Sequence, residues 1–176
     1  VLLFFNINTA GLEIFETEAL LVRQFTSADT EDFFLLNSNE QVMRYIRPVK
    51  SRVDSDIFLN ENLRHYEEYP GTGRWAVVEK SSGDIIGIFS ILFLEQGTGK
   101  LHIGYALLPA YWGRGYATIL LKAGLDHFFR HNEGEALYAL TRKENVASEK
   151  VLLKCGFQLE KEFKEHEHLW KMESNR

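Results

Sequence analysis

The sequence predicts a single α/β (α+β) domain: a mixed, mostly antiparallel central sheet of about six to seven strands, flanked by about four helices. Three observations predict it. Strand-like segments outnumber helical ones. The two strongest helical patterns each follow a strand, as expected where helices cover a sheet. No Pro/Gly/Ser-rich linker, repeat or low-complexity tract divides the 176 residues. A chain of this length buries about 70% of the surface its unfolded form exposes, which is enough for one core.

The elements run in order along the chain. Residues 1–11 read as an N-terminal extension and 12–176 as the domain. The extension opens Val1-Leu2-Leu3-Phe4-Phe5 but breaks at Asn6, short of the roughly 20 apolar residues of a membrane span. It also lacks the basic start of a signal peptide. Residues 19–25 form a strand, after which Thr26 or Ser27 caps a helix to about residue 37, with Asp29, Glu31 and Asp32 in its first turn. A short helical stretch covers 40–45, and Pro48 prevents it from continuing. Ile57, Phe58, Leu59, Leu63 and Tyr66 give 54–66 a helical apolar face that ends before Pro70-Gly71. From residue 74 the period changes. Strands 75–80 and 85–94 flank the turn Ser81-Ser82-Gly83-Asp84 as a hairpin. A strand over 101–108 then leads into a glycine-containing loop and a helix to about residue 131. A strand over 136–141, a helix over 145–155 and a closing strand pair, 157–163 with 168–172, complete the chain.

Composition narrows the function classes. Apolar residues make up 45% and charged residues 26%, the balance of a folded globular protein. A net charge of −5 gives no electrostatic footprint for nucleic acid and suits a basic amine partner. The single cysteine, Cys155, excludes an internal disulfide framework and fits the reducing cytoplasm. Its place at the end of a helix, before Gly156, is that of a small buried hydrophobe. His65, His127, His131, His166 and His168 share no face with carboxylates, so no metal site is expected. Neither a membrane nor a nucleic acid is expected as a partner. The apolar extension and the closing strands offer edges for a homodimer.

Two motifs carry chemistry. In Tyr111-Trp112-Gly113-Arg114-Gly115-Tyr116-Ala117, two glycines one residue apart let a ligand approach the backbone. The helix that opens next offers unpaired N–H groups and a positive dipole end to a phosphate. The loop lacks the Gly-Lys-Ser/Thr ending of a nucleotide P-loop and the third glycine of a dinucleotide fingerprint. About 30 residues on, Asn145-Val146-Ala147-Ser148 runs into Lys154-Cys155-Gly156-Phe157. Asn145 is a good N-cap, and with Ser148 it shares a helix face directed back toward the loop; capping and ligand contact are both open for it.

Together these segments resemble the coenzyme A site of the GNAT N-acetyltransferases, in particular the branch of the RimJ/RimL-like ribosomal-protein acetyltransferases. Residues 112–117 are similar to that superfamily's Q/R-x-x-G-x-G/A pattern, with Trp112 in first place. Asn145, Ser148 and Gly156-Phe157 resemble its N-x-x-S…G-F segment. Glu16-Thr17-Glu18-Ala19-Leu20-Leu21-Val22-Arg23 resembles the branch's opening E-T-E-R-L-x-L-R, with Ala19 for Arg. The resemblance implies acetyl-CoA as cosubstrate, held in a gap between splayed strands. Backbone groups of Ala106, Leu107 and Leu108 would bond the pantetheine arm and supply an N–H for the oxyanion. The N–H groups of Arg114, Gly115, Tyr116 and Ala117 would seat the pyrophosphate, with Arg114 adding charge, and contacts would extend to Trp112, Gly113, Thr118, Asn145 and Ser148.

The activity so implied is direct attack of a primary amine, on a protein N-terminus or a small molecule, upon the thioester. The Tyr that many members use as acid, four residues before the glycine of the Gly-Phe pair, is Leu152 here. The role passes to Ser148, to water or to another residue such as Tyr138. Many relatives carry a carboxylate base where this chain has His102; an imidazole, with an ordinary pKa of roughly 6.5, can take its place. Met43, Tyr45, Tyr66 and Trp75 are candidates for the apolar wall of the acceptor site. The alternative reading is a non-catalytic module that binds acyl-CoA and regulates a partner.

Overall fold

A computed structural model describes residues 11–95 and 97–173. Its eight strands form one sheet in the order β1-β2-β3-β4-β5-β6-β8-β7. They are β1 (Glu13–Glu16), β2 (Leu20–Gln24), β3 (Gly73–Glu79), β4 (Ile85–Phe93), β5 (Leu101–Leu107), β6 (Ala136–Arg142), β7 (Gln158–Phe163) and β8 (Glu167–Glu173). Five α-helices accompany them: α1 (Thr30–Ser38), α2 (Glu40–Met43), α3 (Arg52–Glu68), α4 (Tyr116–His131) and α5 (Val146–Lys154). All neighbouring strands are antiparallel except β5 and β6. The mixed sheet expected from sequence is therefore present, with one strand and one helix more than the upper expectation. The added strand, β1, has only four residues and too little alternation to stand out. It forms because Phe15 and Glu16 find partners in Val22 and Leu21. Of the extension assigned to residues 1–11, all but Gly11 lies outside the described residues.

Helix boundaries shift where side chains cap them. Thr26 closes a capping box with Asp29 over a 3-10 turn, Ser27–Asp29, so α1 begins only at Thr30. Ser51 accepts from the Asp54 N–H and starts α3 two residues before the apolar pattern does. At the end of α5, Gly156 has φ +92°, the Phe157 N–H donates to the Leu152 carbonyl at 3.1 Å, and the Gly156 N–H donates to Leu153 at 3.0 Å. This Schellman closure turns the chain sharply and drops Phe157 into the core.

Side-chain alternation gives the sheet two covered faces. Trp75, Val77, Ile86, Phe89, Ile91, Ile103 and Leu107 pack against Leu120, Leu121, Leu125 and Phe128 of α4. Gly124 lets α4 approach, because a β-carbon there would run into the Phe89 ring. The opposite face sets Ala76, Val78, Ile85 and Ile88 against Phe33 and Leu36 of α1 and Leu59 of α3. Between these cores, β5 pairs with β6 only at Leu101, His102 and Ile103, against Leu137, Tyr138 and Ala139. Beyond that point β5 stays with β4 through Leu107, and β6 stays with β8 through Arg142. The two strands diverge, and the functional residues lie around that opening.

Candidate active site

One end of the opening is closed by the glycine loop. Gly113 and Gly115 have φ +74° and +81°, the left-handed region that disfavours any side chain, and no protein atom lies within 4 Å of a β-carbon built on either. The space above both is open. Among the described residues no acceptor meets the N–H groups of residues 113–117, while those of Thr118 and Ile119 turn back to the Gly115 carbonyl at 3.1 Å. The loop therefore presents a row of free donors at the positive end of α4. Trp112 is a clamp: its indole Nε1–H donates to the Leu107 carbonyl at 2.7 Å. The Arg114 side chain departs from expectation. Its guanidinium sits 3.6 Å from Glu79 Oε1 and over the Tyr111 ring, leaning toward the protein. The Tyr116 hydroxyl also donates to Glu79, at 2.7 Å. That bond, opposed by desolvation and aided by Ser82, Ser81 and Arg114, holds the Glu79 carboxyl below its ordinary pKa, and it raises Tyr116.

The backbone of β5 corrects a second expectation. The Leu108 N–H donates to the Ile86 carbonyl at 2.8 Å. Because backbone polarity alternates along a strand, Ala106 also turns to β4, whereas Tyr105 and Leu107 turn toward the side from which β6 has departed. With the Leu107 carbonyl taken by Trp112, the Leu107 N–H and the polar groups of Tyr105 remain to meet a ligand. Ala106 and Leu108 are excluded as backbone donors by their pairing with β4. The pairing of β5 with β4 is unbroken, so the strands separate without a bulge in β5.

A cavity of about 450 Å³ fills the opening, lined by the glycine loop, Tyr105, Leu107, Thr118, Asn145, Ser148 and, from the other face, Tyr45 and Ile46. A second, of about 300 Å³, is lined by Met43, Tyr45, Arg47, Arg74, Ser90, His102 and Gly104. Both touch Tyr45, Ile46, Tyr105, Ala106, Asn145 and Ser148, so they meet there. Asn145 is the N-cap of α5: its Oδ1 accepts from the Ser148 N–H at 3.2 Å. Ser148 Oγ lies 3.2 Å from the Tyr105 hydroxyl. Burial raises the Tyr105 pKa against the opposing Ser148 bond, so the phenol keeps its proton at neutral pH. Leu152 is buried. Tyr138 lines neither cavity and lies under Lys100, so it is no source of a proton at this site. Cys155 is half-buried with its thiol pushed up by desolvation, which keeps it protonated. His168 is held by Glu149 at 2.6 Å, and among the described residues no group of three or more His, Cys, Asp or Glu is arranged around a metal position.

His102 lines the second cavity, but burial, with the Arg74 charge adding to it, lowers its pKa to about 4. It is a neutral hydrogen-bonding ring there, far weaker as a base than a free imidazole. The sign of the consequence is fixed. The unfolded chain takes up this proton near pH 6.5 and the folded chain only near pH 4, so stability present above pH 6.5 drains away as pH falls between those values. His102→Gln is expected to recover about 2–3 kcal/mol of the acid loss at pH 4.5. Urea unfolding of both proteins at pH 7.5 and 4.5 checks this, since the shifts of His65 and His127 are common to both. Equal pH slopes would remove the assignment.

Met43 and Tyr45 line the second cavity. Trp75 does not. It is 2% exposed and stacks on Phe89 on the opposite face, because it follows Arg74 by one residue and strand side chains alternate. Tyr66 is likewise structural: its hydroxyl accepts from the Phe25 N–H and the Asn62 amide and donates to the Arg74 carbonyl.

Residues 19–158 match the acetyltransferase (GNAT) domain family. The chain belongs to the GNAT acetyltransferases. As a member it is an acetyl-CoA-dependent acyltransferase. It is 30% identical over 149 residues to the uncharacterized N-acetyltransferase YoaA of Bacillus subtilis, with 84% of each chain covered. It is 26% identical to the spermidine N(1)-acetyltransferase of Escherichia coli over 72% of this chain and 66% of that one. Among solved structures, a GNAT-family acetyltransferase from Bacillus anthracis superposes with a TM-score of 0.77 at 26% identity, covering 90% and 96% of the two chains. RimL, a ribosomal alpha-N-protein acetyltransferase solved with coenzyme A, superposes with a TM-score of 0.78 at 18% identity, covering 92% and 97%.

Two features of this GNAT site escaped the sequence. Tyr105 reads as a core aromatic in an apolar strand, and only the position of α5 brings Ser148 to it. Arg47 and Arg74 come from separate segments with no shared motif. Arg74 carried a usable signal, since it stands where the hairpin's alternation places a charge on a covered face. Among the described residues no helix is long and apolar enough to cross a membrane.

Proposed function

We propose that this GNAT enzyme transfers the acetyl group of acetyl-CoA to a primary amine by direct attack, the acceptor being a small molecule or a protein N-terminus. The observation that carries the reading is the divergence of β5 from β6 beside a loop whose donors from Gly113 to Ala117 are free. Acetyl-CoA supplies an acetyl group activated as a thioester. The loop N–H groups bind its pyrophosphate, and open space above Gly113 and Gly115 admits it. The Leu107 N–H points into the gap, where it stabilises negative charge on the acyl oxygen. The neutral His102 ring accepts a hydrogen bond from the incoming amine and orients it, while solvent removes the proton. The Tyr105 hydroxyl, bonded to Ser148 Oγ, donates a proton to the departing sulfur. Asn145 fixes Ser148 by capping its helix.

Likeness to RimL supports the RimJ/RimL-like branch, and likeness to the spermidine enzyme supports a polyamine relative; both share the coenzyme motifs. A reducing cytoplasm is the compartment that suits the lone half-buried thiol. Thiol release from acetyl-CoA, followed across a panel of primary amines, is expected to rise at least tenfold over hydrolysis with the correct class of acceptor. Tight acetyl-CoA binding with no turnover on any amine or N-terminal peptide would favour the non-catalytic acyl-CoA-binding module instead.

A further inference from the structure

The second cavity is lined by two guanidinium groups that, among the described residues, have no ion-pair partner. Arg47, from the loop after α2, and Arg74, at the start of β3, both lie over the ring of Phe58, at 4.7 and 4.8 Å from its centroid. Among the described residues no carboxylate forms an ion pair with either. The carboxylate lining the cavity, Glu167, is paired with Arg142 at 3.8 Å. Glu61, whose charge acts on Arg74, is exposed on α3.

Both groups are held in place. The fully buried Asn37 accepts from Arg47, and its own amide is anchored on the Phe33 carbonyl at 2.7 Å. The backbone of Arg74 is gripped by Asn62 and Tyr66 of α3. Among the described residues Arg47 Nε is buried with no hydrogen-bond partner, so part of the donor capacity of this guanidinium is unspent. Desolvation, with repulsion from the Arg74 charge adding to it, lowers the Arg47 pKa to about 10, and burial lowers that of Arg74. Two like charges lining one cavity, both desolvated there, are relieved by an anion, and guanidinium forks match the oxygens of a carboxylate or phosphate. Space for such a group exists beside them in the second cavity, of about 300 Å³, which Arg47 and Arg74 line together with Ser90 and Gly104. A cavity lined this way repels a polyamine, whose second and third ammonium groups would face Arg47 and Arg74.

We propose that the acceptor is a small amine that also carries an oxyanion, engaged by Arg47 and Arg74 while its nitrogen lies toward His102 and the Tyr105–Ser148 pair. This inference rests on the acetyltransferase reading. The test compares matched substrates of equal chain length in the thiol-release assay: an ω-amino carboxylate, an aminoalkyl phosphate and an uncharged alkylamine, with spermidine beside them. The wild type is expected to show kcat/KM at least about 30-fold higher for one of the two anionic amines than for the alkylamine, with spermidine lowest. The better of the carboxylate and phosphate arms identifies the anion. In Arg47→Gln and Arg74→Gln the preference should collapse toward unity, while the Kd for acetyl-CoA, which also reports folding, stays within threefold. If either variant fails to fold, the wild-type panel decides alone.

Equal or better turnover of spermidine or the alkylamine overturns the proposal. Should no small amine turn over, calorimetric titration of the amino carboxylate, the aminoalkyl phosphate and the alkylamine into the coenzyme-A-saturated protein decides it; no tighter binding of either anion overturns it. Failure to bind acetyl-CoA at all is a different outcome, which removes the acetyltransferase reading itself.

Discussion

Gly115→Glu is expected to weaken acetyl-CoA binding at least about 100-fold, while the protein stays folded. A hundredfold loss corresponds to about 2.7 kcal/mol; the carboxylate supplies it, while the backbone change bears on stability. Gly115 caps α4 at φ +81°, so a glutamate there carries a backbone cost of roughly 1–2 kcal/mol. That cost falls on the loop rather than the core, because no protein atom lies within 4 Å of the new β-carbon. The carboxylate then stands over the free donors of the loop, where it both occupies the pyrophosphate position and repels it. It also competes for the N–H groups directly, since a helix N-terminus favours any anion. Gly115→Ala separates the contributions: it should lose similar stability but retain more of the binding. Calorimetric titration with acetyl-CoA, beside urea unfolding of all three proteins, measures both quantities. Binding by Gly115→Glu at wild-type affinity would sink the cradle.

The loop was legible in the sequence because glycine spacing reports backbone conformation directly: only residues that tolerate positive φ sit comfortably at 113 and 115. Asn145 was legible for a similar reason, since a capping side chain acts on the backbone next to it. Features that depend on which side of a strand faces which layer were harder to read. Trp75 and Arg74 differ by one position, and that step exchanges a core aromatic for a cavity cation. Ala106 and Leu107 differ the same way, so the segment 106–108 was identified as a whole while the alternation that turns Leu107 toward the opening and its neighbours toward β4 was not. His102 stood out as a candidate base because an imidazole occupies that strand position, yet its basicity depends on burial and on Arg74, neither of which a pattern along the chain encodes. The strand β1 was missed because its four residues gain order only by pairing with β2. The Arg47–Arg74 pair lies beyond any local rule, because Phe58 of α3 gathers the two side chains from opposite ends of its own helix.

Tyr105→Phe is expected to lower kcat about 100-fold with little change in the Kd for acetyl-CoA. The substitution removes one hydroxyl and keeps the ring that packs beside the core, so packing survives and the proton at the sulfur is what is lost; positioned acids contribute about 10²–10⁴-fold. Ser148→Ala should produce a smaller loss, because water can take the place of Oγ. If the two hydroxyls act as a relay, the double variant is no slower than Tyr105→Phe alone, since residues that work as a unit are not additive. The pH dependence provides an independent check. Burial places the Tyr105 pKa above its ordinary value near 10, and an acid works only while protonated. The rate should therefore hold through pH 10 and fall only above it, with that alkaline limb absent in Tyr105→Phe. An alkaline limb with an inflection near pH 8 that persists in the variant would assign the proton to another group. Multiplicative losses in the double variant would separate Ser148 from Tyr105 and leave the serine as a helix-start residue held by Asn145.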